Sequence, residues 1–533
     1  ELESTFHLGA FHNLELIGVA SAFLKQHSRL KGQPSYQVRG VATVKKHHRF
    51  GVGKALMKGI EQQLSTKKAE LIWLNARTNA VPFYEALHYT AHGEGFPIAG
   101  IGLHGKGNSD ILHASVGGRE NVVALCDVHQ NAYGAQVAAE KFPNAKFYTD
   151  YREMFEKESL DGVTISTPDH THANITKVAM EKGIHVYVQK PLTHNVKEAR
   201  MLTELARKNK IVTQMGNQGA SNPEQVLIQK WIKDGRIGKV SKVYTWTNRP
   251  VWPQGVGMKS PDPSQKPEGM DWDLWIGPAE NKGYTPGLHA FDWRGFWNYG
   301  TGALGDMGCH IMDVPVKALG LFEPFSVEAS ISNLPYAKAF TPSPIIEEAC
   351  PSSSYVTYKF RPSDLNDSEV KMIWMDGGIR PSHPDLITDK DDIGDNGVLM
   401  IGENGIIWSD NYGINARLYI NGQDGVVEKG EISEINSVEF GHQSYWIDAV
   451  KDGYGSDKHR NLTSNFDFAG PLSEVVLLGN VAIRSSLLKR SPRSNVFIGK
   501  KQLMYDSNKM MITNLDQANQ FLTREYREGW EIS

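Results

Sequence analysis

The chain has 533 residues, with 57 lysines and arginines against 60 aspartates and glutamates. That length exceeds one core and points to about three domains, while near charge balance without a long basic run excludes a nucleic-acid arm or membrane patch and leaves a small molecule as the expected partner. The three cysteines, Cys126, Cys309 and Cys350, form no C-x-x-C pair, so neither a disulfide framework nor a zinc knuckle is supported and a reducing compartment fits.

The chain opens on "ELESTFHLGAF", with no initiator Met and no charged n-region before an apolar h-region. No apolar run is expected to span a membrane, and the expected location is cytoplasmic, or periplasmic if an export signal has been removed. Two alternating runs, "FHLGAF" and "LELIGVASAFL", flank "HN" and predict a hairpin. A third strand, "YQVRGVATV", leads into "KKHHRFGVGKALMKGIEQQL", a glycine turn and an amphipathic helix. Free amides at such a helix start can hold a phosphate, although an ordinary strand-to-helix turn uses the same residues.

With "LIWLNARTNAVPFYEALHYTAHGEGFPIAGIGLH" behind it, the stretch 1–104 resembles a GNAT N-acetyltransferase. The resemblance puts an acetyl-CoA loop, Q/R-x-x-G-x-G/A, on His48, Gly51 and Gly53, and a general acid at Tyr84. It implies acetyl-CoA as a ligand if the module is active. His48 stands where Gln or Arg is usual, and the family's first strand and leading helices are missing, so residues 1–95 read as a truncated, partial GNAT-like α/β module.

From residue 107 the rhythm changes. "NVVALCDV", "DGVTIST", "HVYVQKP" and "KIVTQMGN" are short apolar runs separated by helical stretches such as "NAYGAQVAAEKF", "HANITKVAMEKG" and "NVKEARMLTELARKN". The alternation predicts a doubly wound parallel sheet over 96–218, with ligands at the carboxyl ends of its strands. Gly102, Gly105 and Gly107 in "GIGLHGKG", with Asp127 twenty positions after Gly107, have the spacing of a dinucleotide loop and its ribose-binding acid. The acid favours NAD over NADP, because it would repel a 2′-phosphate. In G-x-G-x-x-G the middle glycine falls on His104, whose side chain is expected to crowd the cofactor phosphates. "FPIAGIG" serves either module as a strand; we assign it to the dinucleotide fold, which gains more from burying it centrally.

Three later motifs carry chemistry: "STPDHTHA", "VQKPL" and "GTGALGDMGCHIMDV". With the rest of 96–533 they resemble the Gfo/Idh/MocA oxidoreductase family, whose E-K-P appears here as Gln189-Lys190-Pro191 and whose D-x-x-x-H helix appears as Asp306 and His310. The resemblance implies a Rossmann domain followed, over 219–533, by an α/β (α+β) domain with a large, open, mostly antiparallel sheet that carries substrate contacts and a homo-oligomer interface. Oxidation of a secondary alcohol needs a base near neutrality, assigned to His310. Asp306, one helical turn earlier, would orient the imidazole or hold the reacting hydroxyl, and Lys190 would stabilise developing alkoxide charge. Thr167, Pro168 and His172 would border the nicotinamide. No metal is expected: Asp306, His310 and Asp313 share a helical stripe, but no further ligand cluster accompanies them.

The aromatic and polar stretches "TWTNRPVWPQG", "DWDLWIG" and "HAFDWRGFWNYGTG" suit a carbohydrate or cyclitol, with Arg249, Trp252, His289, Trp293 and Arg294 as substrate-side candidates. The tail "MITNLDQANQFLTREYREGWEIS" reads as helical spacing that closes over the second domain. Three functional readings follow: an NAD-dependent sugar or cyclitol oxidoreductase, a glycosidase-like enzyme using transient oxidation by bound NAD, or a silent fusion spoiled at His104. Residual acetyl transfer is a fourth.

Overall fold

The structure, a computed structural model, describes residues 5–25, 32–47, 50–74, 81–90, 96–289, 291–332, 346–388, 392–431, 441–494 and 496–532. The chain divides into two compact units, Glu1–Gly95 and Phe96–Ser533. In the first, β1 (Thr5–His12) and β2 (Glu15–Leu24) form the expected hairpin. Its turn is Asn13-Leu14, both at positive φ, as a two-residue connection between twisted strands requires. β3 (Ser35–Thr43) follows, then α1 (Val52–Thr66), β4 (Leu71–Leu74) and α2 (Val81–Glu85), giving a sheet of order β1-β2-β3-β4 in which only β3 and β4 run parallel. The helical period puts Leu56, Met57, Ile60 and Leu64 of α1 on one stripe, in one cluster with Ala20, Ala22, Tyr36 and Val38 of the sheet.

The second unit begins with strands and helices in alternation: β5 (Pro97–Ile101), α3 (Lys106–Ala114), β6 (Asn121–Cys126), α4 (Tyr133–Lys141), β7 (Lys146–Tyr148), α5 (Tyr151–Lys157), β8 (Gly162–Ile165), α6 (Asp169–Glu181), β9 (His185–Val188), α7 (Val196–Asn209) and β10 (Thr213–Met215). All six strands are parallel, in the order β10-β9-β8-β5-β6-β7. The segment open to two readings is thereby settled, because Pro97–Ile101 pairs with β6 on one side and β8 on the other. The order reverses between β5 and β8, and the crevice beyond the carboxyl ends of these strands is where such sheets bind ligands.

There follow α8 (Pro223–Lys233), β11 (Val240–Trp246), α9 (Trp272–Ile276), α10 (Gly302–Ile311), α11 (Asp313–Leu319), β12 (Pro324–Ser332), β13 (Ser353–Phe360), β14 (Val370–Met375), β15 (Gly397–Gly402), β16 (Gly405–Ser409), β17 (Arg417–Ile420), β18 (Glu428–Lys429), α12 (His442–Asp452), α13 (Asp457–Arg460), α14 (Phe466–Ser485), β19 (Leu503–Asp506) and β20 (Met511–Ile512). Their ten strands form one open sheet, β18-β17-β16-β15-β11-β14-β13-β12-β19-β20, with β11 and β14 its single parallel pair. The architecture is the α/β class expected.

Two expectations need correction. One apolar run does have the length and composition of a membrane span: α14, of 20 residues and mean hydropathy 1.3 over its best window, 83% of which is buried inside the protein. Its apolar surface is used against α7, α10 and β12, and Gly479 lets it approach closely, since a Cβ there would lie 2.0 Å from the Tyr358 hydroxyl. The C-terminal tail closes over the second domain only in part: β20 and a 3-10 helix over Asp516–Leu522 that packs on α14 are followed by an extended run that reaches α6 and α7. There Asn174 Nδ2 donates to Trp530 O (2.6 Å) and the Tyr526 hydroxyl to Glu198 Oε1 (2.8 Å). The three cysteines are buried and unpaired.

Candidate active site

The strand ends of the parallel sheet open into a cavity of about 530 Å3. β5 leaves it through Gly102 at φ 75°, where a Cβ would lie 2.7 Å from the Ser166 carbonyl, so the turn tolerates only glycine. A Cβ on Gly107 would lie 1.8 Å from Gly102 O, which makes Gly107 a packing residue between helix and strand. Gly105, at φ 54°, has open space above it and leaves the start of α3 without a side-chain cap. A glycine-lined turn onto an uncapped helix start fits a diphosphate.

His104 lines the cavity at the middle position, and Gly134 at the start of α4 makes room for it: a Cβ there would lie 2.6 Å from His104 Cα and 3.0 Å from its Nδ1. The imidazole therefore rests against the first turn of α4. Asp127, after β6, accepts hydrogen bonds from Leu103 N (2.8 Å) and His129 N (3.0 Å). Burial raises its pKa, and these two bonds oppose the rise. The rings of His129 and His289 lie 5.0 Å apart beside it, and burial holds His289 at about 4, hence neutral.

Deeper in, charged groups form a chain. Lys190, at the end of β9, donates to Asp306 Oδ1 (2.6 Å) and to Asp306 O (2.9 Å) on α10. Arg294 Nη1 lies 3.4 Å from both Asp306 Oδ1 and Asp169 Oδ1, and the Thr301 hydroxyl donates to Asp169 Oδ2 (2.6 Å). Burial alone would raise the Asp306 pKa, but the Lys190 and Arg294 charges outweigh it and hold the carboxyl well below the usual range. His310, four residues on, faces the cavity with the Tyr412 ring 4.6 Å away. Burial, reinforced by the Lys190 charge, pushes its pKa well below the ordinary histidine value, so it is neutral at pH 7 but does not titrate near neutrality as expected.

The candidate residues separate clearly. Gly102, His104, Gly105, Asp127, Thr167, Pro168, Lys190, His289, Trp293, Arg294 and His310 share the cavity lining. Asp306 sits one layer behind and pairs with Lys190; no hydrogen bond joins it to His310 among the described residues, and it acts on that imidazole through its charge. His172 does not border the cavity: it is buried with its ring nitrogens 2.8 Å from Pro191 O and Thr167 O, linking the two loops. Trp252 backs the Arg294 guanidinium at 5.6 Å. Arg249 is not part of the cavity lining; it donates to Asn248 Oδ1 (2.7 Å), and its charge acts on Tyr412. Asp313 bonds Gln225 and Lys317, apart from His310. In the first unit His48 lies outside the described residues, Gly51 precedes α1 at φ 82° without a side-chain cap, a Cβ on Gly53 would touch the Phe83 ring at 3.3 Å, and Tyr84 lies edge-on to Phe83 with its pKa raised by burial.

Several contributors were not among the candidates, although Trp275 lies in the quoted "DWDLWIG". Trp275 and Trp530 line the cavity from α9 and from the tail. Tyr412, at φ 64°, reaches it from an irregular turn after β16. Asp110, fully buried in α3, accepts from Gln189 Nε2 (2.8 Å), the Ser166 hydroxyl (2.9 Å) and Gln443 Nε2 (3.0 Å) and pairs with Lys106 (3.1 Å). The one available signal was Gln189 itself, since an amide in place of a carboxylate is suited to a buried acid nearby.

A doubly wound sheet with a glycine turn at its switch point, followed by an open antiparallel sheet, defines a two-domain dinucleotide-binding protein. Residues 96–217 match the oxidoreductase family with NAD-binding Rossmann fold, 225–332 match its C-terminal alpha/beta domain, and 1–105 match the GNAT acetyltransferase domain. Residues 96–332 thus carry both domains of the Gfo/Idh/MocA oxidoreductase family, and residues 1–105 carry a GNAT segment.

Inositol 2-dehydrogenase of Salmonella typhimurium is 30% identical over 149 residues, 28% of this chain and 44% of that one. Levoglucosan dehydrogenase of Pseudarthrobacter phenanthrenivorans is 26% identical over 188 residues, 35% and 40% of the two chains. Both matches span less than half of the relative. The uncharacterized N-acetyltransferase YitI of Bacillus subtilis is 34% identical over 102 residues, 19% of this chain and 68% of its own. A solved structure of levoglucosan dehydrogenase with NADH and L-sorbose covers 74% of this chain and 98% of its own, at TM-score 0.50 and 16% identity, a likeness of fold alone.

Proposed function

We propose that the second unit oxidises a secondary hydroxyl of an uncharged sugar, glycoside or cyclitol, with NAD as the hydride acceptor. The observation that carries this reading is the convergence of Lys190 and His310 on one cavity beneath the glycine turn. NAD, when bound, supplies the acceptor for the hydride. His310, kept neutral by burial, takes the hydroxyl proton. The Lys190 ammonium has three N–H groups, of which two are held by Asp306; the third is left to donate to the reacting oxygen and stabilise its developing charge.

The charge inventory supports a neutral substrate. Lys106, Lys190 and Arg294 are matched by Asp110, Asp306 and Asp169, which leaves no spare cation among the described lining residues for a carboxylate or phosphate, and Trp275 and Trp293 add apolar surface to the lining. Asp127, buried and already accepting two amide bonds, favours ribose hydroxyls over a 2′-phosphate. The relatives' names, an inositol and a levoglucosan dehydrogenase, agree with the class.

The test incubates the full chain with NAD and a panel of glycosides, free sugars, cyclitols and uronic acids while following the absorbance of reduced nicotinamide. Signal with uncharged polyols and none with uronic acids supports the proposal. Product without net reduced nicotinamide would transfer the assignment to transient oxidation and elimination. Absence of NAD binding at millimolar concentration would end it. Acetyl-CoA binding by the first unit is a separate question, answered by titrating acetyl-CoA into the same protein.

A further inference from the structure

Behind the catalytic groups lies a second cavity, of about 20 Å3, walled by His194 and Asn195 before α7, Thr301 before α10, Asn480 and Arg484 of α14, and Thr523 of the tail. A water-sized occupant needs roughly 10–15 Å3 of such space, so the cavity takes one small particle. Its lining includes one cation. The Arg484 guanidinium is held between aromatic faces, 4.4 Å from the Phe521 ring and 5.7 Å from Trp297, and no carboxylate among the described residues pairs with it. Arg524 is close enough for the two charges to disfavour each other. Its Nε and Nη1 have no partner among the described residues, and its Nη2 donates to Asn298 O at 3.4 Å.

Against these two cations stands one carboxylate. Glu198 acts on Arg524, but its oxygens already accept from His194 N (3.0 Å), Asn195 N (3.3 Å) and the Tyr526 hydroxyl (2.8 Å). The neighbouring Cys350 thiol is kept protonated by burial and supplies no negative charge. Burial lowers Arg484 to about 10, still charged at neutral pH. An uncompensated cation inside a protein is costly, and proteins pair it or bind a counter-ion. Asn195, 4% exposed, also lines the cavity, and its side-chain amide acts on the Tyr526 hydroxyl.

We propose that this cavity is a binding site for a single small monovalent anion of the chloride type, held by the Arg484 guanidinium. The volume excludes phosphate and sulfate, and one unmatched positive charge calls for one negative charge. The site also touches the active centre: Asn480 Nδ2 donates to Thr301 O (2.9 Å), and the Thr301 hydroxyl holds Asp169. The occupant therefore helps to fix the residue on which Arg294 rests.

The experiment uses the full chain dialysed into sodium gluconate, with chloride exchanged for gluconate at constant ionic strength. The melting temperature should rise by about 2 °C and saturate, as mass action requires for a ligand of the folded state. The rise should vanish in Arg484→Met. A crystal grown in bromide should show an anomalous peak within about 3.5 Å of the Arg484 nitrogens. A melting temperature indifferent to chloride, or a bromide crystal whose cavity holds water alone, overturns the proposal. If Arg484→Met does not fold, the bromide peak in the unaltered protein decides.

Discussion

Lys190 Nζ stands 2.6 Å from Asp306 Oδ1 and 2.9 Å from the backbone oxygen of the same residue. One ammonium thus ties the end of β9 to α10, a helix that enters more than a hundred residues later. Lys190→Ala and His310→Ala should each lower kcat at least about 100-fold, the scale of general acid–base and electrostatic contributions. NAD affinity, measured by fluorescence titration, should change less than about threefold in both. Asp306→Asn should lower kcat while leaving the dinucleotide site intact, because it releases the anchor of Lys190. Comparable turnover in Lys190→Ala or His310→Ala would remove the assignment.

Gln189 Nε2 donates to the fully buried Asp110, beside the Ser166 and Gln443 bonds to the same carboxylate. Gln189→Glu places a second acid against it and should cost about 1–3 kcal/mol of stability, the penalty of a buried acceptor left without its donor. Asp110→Asn in the same chain should recover most of that loss, since an amide again faces a carboxylate. A double-mutant cycle by denaturant unfolding measures the coupling; independent, additive effects would show that the two groups do not interact.

Gly107 and His104 make opposite predictions within one loop. Gly107→Ala drives a methyl group to 1.8 Å from Gly102 O, and NAD binding by calorimetry should be lost. His104 leans over Gly134, so His104→Ala should alter NAD affinity by less than about threefold. A tenfold or larger gain would mean that the imidazole does obstruct the phosphates.

His442 is buried with Nε2 2.8 Å from Met215 O and Nδ1 2.7 Å from the Ser221 hydroxyl, and burial holds it at about 4. The unfolded histidine takes up its proton near 6.5, before the folded one does. Stability from this group is therefore complete above pH 6.5 and falls as pH drops toward 4, by roughly 2–3 kcal/mol. His442→Gln should flatten the acid side of the stability curve, read as melting temperature between pH 7 and pH 4.5. An unchanged slope would assign the acid sensitivity to other groups, of which His170, held by burial at about 3, is the first to examine.

What could be read without coordinates was local. Alternating apolar runs, the spacing from Gly107 to Asp127, and Lys190 before a proline depend on neighbours within about twenty positions, and periodicity or turn chemistry registers them. The strand Pro97–Ile101 was assignable because a central position in a parallel sheet buries both of its faces.

Tertiary structure alone decided which side chains meet. Asp110 and Tyr412 lie in stretches without a motif, and Trp530 reaches the cavity only because the tail crosses back to α6. Arg249 and Trp252 belong to "TWTNRPVWPQG" and the retained His289, Trp293 and Arg294 to "HAFDWRGFWNYGTG", two stretches of the same kind, but the fold bonds Arg249 to Asn248 and sets Trp252 behind Arg294. α14 has the composition of a membrane span and is a core helix, because α7, α10 and β12 cover its apolar surface. Composition and spacing are properties of a segment, whereas burial, charge pairing and the partner of a buried acid are set by segments that only folding brings together.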